Sequence, residues 1–180
     1  MRKILFLTVV SALVLCASAQ AQNNSDVVKA VRAAYSGVKE KIKRDAEDAQ
    51  SRGDAVVTMH YNVPATGPRT TVAHCYFDMD TNEDGAHYYP YFITLKYNVA
   101  AREYYEEYLF DPESGTLRFA FIQQDTYEGT KNEERYYYDE LGKLASENVK
   151  GERTVKPESG LLRQAERYRA LIPDFLDFPF

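Results

Sequence analysis

The 180-residue chain reads as an α+β protein: an antiparallel β-meander of about seven strands, with an N-terminal and a C-terminal helix packed on one face. Three observations predict this. Apolar side chains recur at every second position through most of the stretch from Ala55 to Val149, the period of a strand. On either side of that block they recur at steps of three or four, the period of a helix. Within the block, aromatic-rich runs end repeatedly in Asp, a short turn and Gly.

The first segment, MRKILFLTVVSALVLCASAQAQ, has the layout of a secretory signal. Arg2 and Lys3 form a positive start, Ile4 to Cys16 an apolar run too short for a comfortable membrane span, and Ala19 and Ala21 a small-x-small cleavage pattern. The reading is a signal over residues 1–21, cut after Ala21 or, as second choice, after Ala19, followed by a single domain over residues 22–180. Leu15 before Cys16 is bulky and argues against a lipid anchor at that cysteine. Loss of the segment removes Arg2 and Lys3 with no acid, so the formal charge moves from −5 to −7. Such a domain repels phosphate backbones, which disfavours nucleic acid as a partner. No later stretch is apolar enough to span a membrane. Only Cys75 remains after cleavage, so no internal disulfide forms. The expected location is periplasmic or extracellular, with envelope association as a variant.

The first helix is expected from Asn23 to Gly53. Val27, Val31, Ala34, Val38, Ile42, Ala46 and Ala49 share one face, Ser25 is placed to cap, Asp26 suits the positive helix end, and Gly53 is placed to stop it. Lys39, Lys41, Lys43, Arg44, Glu47 and Asp48 form the solvated side. Strands follow over Ala55–Val63 and Arg69–Asp78, joined by the Pro- and Gly-bearing NVPATGPR. A polar stretch, MDTNEDGAH, precedes the next strand, Tyr91–Val99. Residues 100–108 carry both helix formers and tyrosines; Glu103–Phe110 reads as a strand because the turn DPESGTL comes next. Thr116–Gln124, Glu134–Asp139 and Lys143–Val149 complete the meander. Pro157 opens the C-terminal helix, Leu161, Leu162, Ala165, Tyr168 and Leu171 give its apolar face, and Pro173 is expected to end it. The tail DFLDFPF is apolar enough to fold back on the domain.

The turn device appears at Tyr76-Phe77-Asp78, at Tyr108 to Leu117 and at Tyr136 to Leu144. Asp ends the strand and accepts hydrogen bonds from turn amides; Gly supplies a positive φ. The last copy, YYYDELGKL, resembles the YD-type hairpins of exported bacterial proteins, domains that close hairpins in Y-Y-x-D-x-x-G-K-L. The resemblance covers about two hairpins. It implies an antiparallel sheet outside the cytoplasm and a leaning toward binding.

Several groups bear on chemistry. Asp80, Asn82 and Asp84, followed by Gly85, match the first half of a calcium loop, where alternate oxygens converge on the ion. Position twelve is Tyr91, which supplies no bidentate carboxylate, so calcium stands as the one cofactor to test and an exposed acidic turn as its alternative. His60, His74 and His87 are scattered, and His74 and Cys75 point to opposite faces of a strand. Cys75 with His60 is the one available nucleophile–base pair, against a buried structural thiol. Glu103, Glu106 and Glu107 cluster without the two-sided cleft of a glycosidase and read as a solvated edge. No catalytic residue is assigned.

Fifteen tyrosines, eleven of them between Tyr88 and Tyr138, dominate the composition, and Trp is absent. Tyr104, Tyr105, Tyr108, Tyr136, Tyr137 and Tyr138 are expected either to pack across strands or, on an outward face, to form a platform for a protein or carbohydrate partner. The leading expectation is an exported non-enzymatic binding module that uses an aromatic sheet face. The alternatives are a small secreted hydrolase or metal-dependent enzyme and a structural subunit of an envelope assembly.

Overall fold

The computed structural model describes residues 2–48, 53–83, 85–100, 102–126 and 128–176, with backbone alone for residues 2–21, 172 and 174–176. Helix α1 (Arg2–Asp45) leads into β1 (Asp54–Val63), β2 (Gly67–Asn82), β3 (Gly85–Val99), β4 (Arg102–Phe110), β5 (Leu117–Asp125), β6 (Lys131–Tyr138) and β7 (Leu144–Lys150). A π turn (Pro157–Leu161) then opens α2 (Leu162–Leu176). The seven strands form one sheet in sequence order, every neighbouring pair antiparallel. The fold is thus the expected α+β meander with a helix at each end, and 102–110 is a strand. Among the described residues no helix is long and apolar enough to cross a membrane.

The two helices do not share a face, which corrects the expected one-sided packing. Ile93, Tyr108, Ala120 and Tyr136 are successive cross-strand neighbours. They are buried in one cluster with Leu161 and Ala165, with Leu162 and Tyr168 packed against it. Phe92, Leu109, Phe119 and Tyr137, each one residue away, form the opposite row and are buried with Val31, under Val27, Val28, Tyr35, Val38 and Ile42 of α1. Successive strand residues point to opposite faces, so runs such as Tyr108-Leu109-Phe110 and Tyr136-Tyr137-Tyr138 make both faces apolar. A fully buried ring or branched aliphatic contributes on the order of 2 kcal/mol, against a whole folding margin of about 5–15 kcal/mol. Neither face can stay bare, and each helix covers one.

Other boundaries differ from expectation as well. Helix α1 begins at Arg2 rather than Asn23 and runs unbroken through Ser25, which therefore does not cap it. Helix α1 stops at Asp45, with Lys43 and Arg44 in its last turn, where cations favour the negative helix end. Ala46 follows in a closing turn, and Ala49 lies outside the described residues. Gly53 does not close the helix. Its carbonyl accepts the Phe77 amide at 2.9 Å, and a Cβ there would stand 2.2 Å from the Phe77 oxygen, so close strand approach requires the glycine. Pro173 sits inside α2 rather than ending it; its φ suits a helix, and so near the C-terminus it costs one backbone hydrogen bond.

A further difference is in the turns. Two copies of the Asp-to-Gly device form as expected: Asp111 Oδ1 accepts the amides of Glu113 and Ser114, and Asp139 Oδ1 those of Leu141 and Lys143. Gly115 and Gly142 adopt φ of 70° and 73°. At Tyr76-Phe77-Asp78 the chain does not turn. After an irregularity at Tyr76/Phe77, β2 and β3 continue as a two-stranded arm, from Phe77↔Pro90 to Asn82↔Gly85, beyond the ladders to β1 and β4. The tail residues 177–180 lie outside the described residues.

Candidate functional site

The carboxylates and tyrosines that stand out in the sequence are mostly one structural system. Glu106 and Glu107 are 2% and 6% exposed, which overturns the solvated-edge reading; only Glu103 of that cluster is in water. Being consecutive on β4, they enter opposite cores. Glu106 accepts hydrogen bonds from Tyr97 Oη at 2.6 Å, Tyr108 Oη at 2.7 Å and Gln164 Nε2 of α2 at 3.0 Å. Burial pushes its carboxyl above the usual range, against the pull of those donors. Glu107 accepts from Tyr35 Oη of α1 and Tyr105 Oη, both at 2.7 Å, with Lys39 Nζ at 3.6 Å. Glu134 repeats the pattern with Tyr136 Oη at 2.5 Å, the Thr154 amide at 2.9 Å and the Thr154 hydroxyl. In each case a phenol two positions along the same strand supplies a donor. Burying a carboxylate is tolerable only when its oxygens are bonded, and tyrosine does this while filling the core with its ring.

The six tyrosines therefore do not form one exposed plane. Tyr108, Tyr136 and Tyr138 are fully buried on the α2 side, Tyr137 is buried on the α1 side, and Tyr104 and Tyr105 are half-buried. Tyr104 stacks on Tyr97 with ring centres 4.9 Å apart. The calcium-like residues are not a loop: Asp80 and Asn82 belong to β2, and Asp84 lies outside the described residues. Asp80 Oδ1 accepts the Thr81 amide, and Asn82 Oδ1 accepts from His87 Nε2 at 3.1 Å. Among the described residues no group of three or more His, Cys, Asp or Glu is placed to hold a metal ion.

Cys75 lies in the α2-side core, while His60 and His74 are on the other face, so no Cys–His dyad forms. Burial pushes the Cys75 thiol up to about 12, far from a thiolate at neutral pH. His74 Nε2 donates to Asp54 Oδ2 at 2.7 Å, which leaves Nδ1 to accept from Tyr76 Oη at 3.0 Å. That Asp–His–Tyr chain has the order of a relay. Its recess is only about 110 Å³ and is lined without Ser, Thr or Cys; the one hydroxyl bonded to the histidine is the Tyr76 phenol.

Concave space lies along α1. The helix crosses an aromatic face with a narrow stripe of valines and alanines and leaves a cleft on each flank. The larger, about 460 Å³, has Val31, Arg32, Tyr35 and Ser36 of α1 as one wall and Glu107, Phe119, Phe121, Arg135 and Tyr137 as its floor. Strand register arranges the floor in two rows: Glu107, Phe121 and Arg135 are successive cross-strand neighbours, and so are Phe119 and Tyr137. The Arg135 guanidinium lies 4.8 Å from the Phe121 ring centre and pairs with Glu133 at 3.0 Å; that of Arg32 lies 5.7 Å from the Tyr137 ring. The second cleft, about 340 Å³, is more apolar, with Ala30, Ala34, Tyr91, Leu109 and Phe110 between the ion pairs Lys41–Asp78 and Asp111–Arg118.

Sequence reasoning places the valines of α1 but misses Tyr35, Arg32, Phe119, Phe121 and Arg135 as a site. The readable sign is Tyr35, a lone aromatic in a helix stripe of valines and alanines. No family model matches the chain, and neither a curated protein nor a solved structure does.

Proposed function

We propose that this chain is an exported, non-enzymatic binding domain that takes its ligand in the cleft between α1 and the β4–β6 floor. The observation that carries the reading is the cleft itself: about 460 Å³, aromatic at its base, with a few polar groups converging on it, the usual composition of a ligand site. The tyrosines offer no open platform, because each sheet face has its own helix. Export is supported by the signal-like segment. Cleavage after Ala21 would leave Val27, Val28, Tyr35, Val38 and Ile42 in place against the sheet.

A thermal-shift screen of soluble saccharides, organic acids and peptides tests this, with Ser36→Trp as the blocked control. Ser36 is exposed on α1 at the cleft wall, so the indole fills the mouth without entering the core. The expected result is at least one compound that stabilises the native protein and not the blocked one. Stabilisation shared by both variants places binding elsewhere and removes the reading.

The arm favours a second reading, a subunit of an assembly. Met79 and Tyr89 are 60% and 42% exposed on it, well beyond what the fold requires. Concentration-dependent sedimentation that Met79→Ser together with Tyr89→Ser abolishes would support it; a monomer at every concentration would not.

A further inference from the structure

We infer that the cleft beside α1 is built for a ligand that carries a carboxylate on a ring-shaped body, an inference that rests on the cleft being the binding site. The chain as a whole is acidic, with a formal charge of −5, yet this cleft is locally positive. Its walls and their direct partners hold Arg32, Arg135 and Lys39 against Glu107 and Glu133. Both acids are already engaged: Glu107 by two phenols and Lys39, Glu133 by Arg135. Arg32 has no carboxylate partner among the described residues; its guanidinium rests above the Tyr137 ring.

Arg135 already gives an N–H to Glu133, whereas Arg32, held against an aromatic face, keeps its N–H edge for a planar anion, and a carboxylate matches that fork in bidentate fashion. A ligand ammonium would enter a space bearing three cations against two carboxylates that are already engaged. Between the two arginines the base is apolar: the Phe119 and Tyr137 ring centres lie 5.2 Å apart with their planes inclined by 49°, with Phe121 in the next row. Two inclined rings make a shallow aromatic seat for the apolar part of a six-membered ring, whether the ring of an aromatic acid or the C–H face of a uronic acid sugar. The shared chemistry is the ring and its carboxylate.

The test is a titration by calorimetry and by chemical shift, using two matched pairs: D-glucuronate against D-glucose, and benzoate against benzyl alcohol. The native full chain, Arg32→Ala and Ser36→Trp are compared. Arg32 is exposed on α1, so its truncation spares the core. The expected result is that the acid of one pair binds about tenfold or more tighter than its neutral partner, that added salt weakens it, and that Arg32→Ala removes the advantage. Whichever pair shows this identifies the source as sugar acid or aromatic acid. Equal affinity for acid and neutral partner, an advantage that survives Arg32→Ala, or no binding by either acid at about 10 mM overturns the inference. Neutral compounds whose binding is lost in Ser36→Trp would end the carboxylate inference while leaving the cleft as the site. Binding of any probe that Ser36→Trp leaves intact would end the reading of the cleft itself.

Discussion

Glu106 and Glu107 are neighbours on β4, and each looks into a different core. On the α2 side, Glu106 is held by two phenols and Gln164, and the helix above it sinks Leu161 and Ala165 to about 1% exposure among Tyr108, Tyr136 and Tyr138. On the α1 side, Glu107 is held by Tyr35, Tyr105 and Lys39, and the helix above it is fully buried at Val31, with clefts on both flanks. The same device, a strand carboxylate bonded by its own strand's tyrosine and by the covering helix, serves both faces. What differs is the helix. Leucines and Tyr168 fill the space on one side, whereas valines and the small Ala30 and Ala34 leave it partly open on the other. One sheet thereby combines a core built for stability with a surface that has room for a ligand.

The largest test of that contrast is truncation in each core. Ile93→Ala, on the α2 side, should cost about 4 kcal/mol, and Leu109→Ala, which borders the second cleft, about 2 kcal/mol, since the price of a cavity depends on how well its walls relax. Urea unfolding measures both; an equal or larger loss at Leu109 would mean that the two faces are packed alike. Removing a phenol comes next. Tyr108→Phe takes a buried donor from Glu106 and should cost about 1.5–3 kcal/mol, whereas the half-buried Tyr105→Phe should cost about 0.5–1.5 kcal/mol because water can replace the bond.

The pH dependence of stability sharpens the comparison further. Burial holds the Glu106 carboxyl above its ordinary range, so the fold favours the neutral acid. Its contribution is complete below the unfolded value of about 4.3 and is lost as pH rises through the folded value. The stability of the native protein relative to Glu106→Gln should therefore be highest near pH 4 and decline toward neutrality; urea titrations across that interval that show a flat difference would contradict the burial account. The smallest expected effect is at Arg32→Ala, within about 0.5 kcal/mol of native stability, so that any change in ligand binding there is not a folding effect. A melting temperature clearly below native would assign Arg32 a role in holding α1 down.

The meander itself was legible because its signals are local. Period-two alternation, the turn at DPESGTL and the turn at DELG each depend on a few residues, and all appear where expected. Helix placement is not local. Nothing in Val27 to Ile42 says which side of the sheet that stripe will meet, although the unbroken apolar runs Tyr108-Leu109-Phe110 and Tyr136-Tyr137-Tyr138 already require cover on both sides. The arm carries no strand signal because MDTNEDGAH is mostly polar, and paired strands beyond the core need no apolar face. The candidate site was the least legible part. Arg32, Tyr35, Phe121 and Arg135 come from three elements, and only strand register together with the docking of α1 brings them together.

Methyl-to-aromatic NOEs on the isotope-labelled protein test the arrangement most directly. Cross-peaks should join the Val31 methyls to the Phe119 and Tyr137 rings, and the Leu161 and Ala165 methyls to Tyr108 and Tyr136, with none between the two helices. Contacts linking Val31 to Leu161 or Ala165 would put both helices on the same side, expose the opposite aromatic row, and remove the cleft on which the functional reading stands.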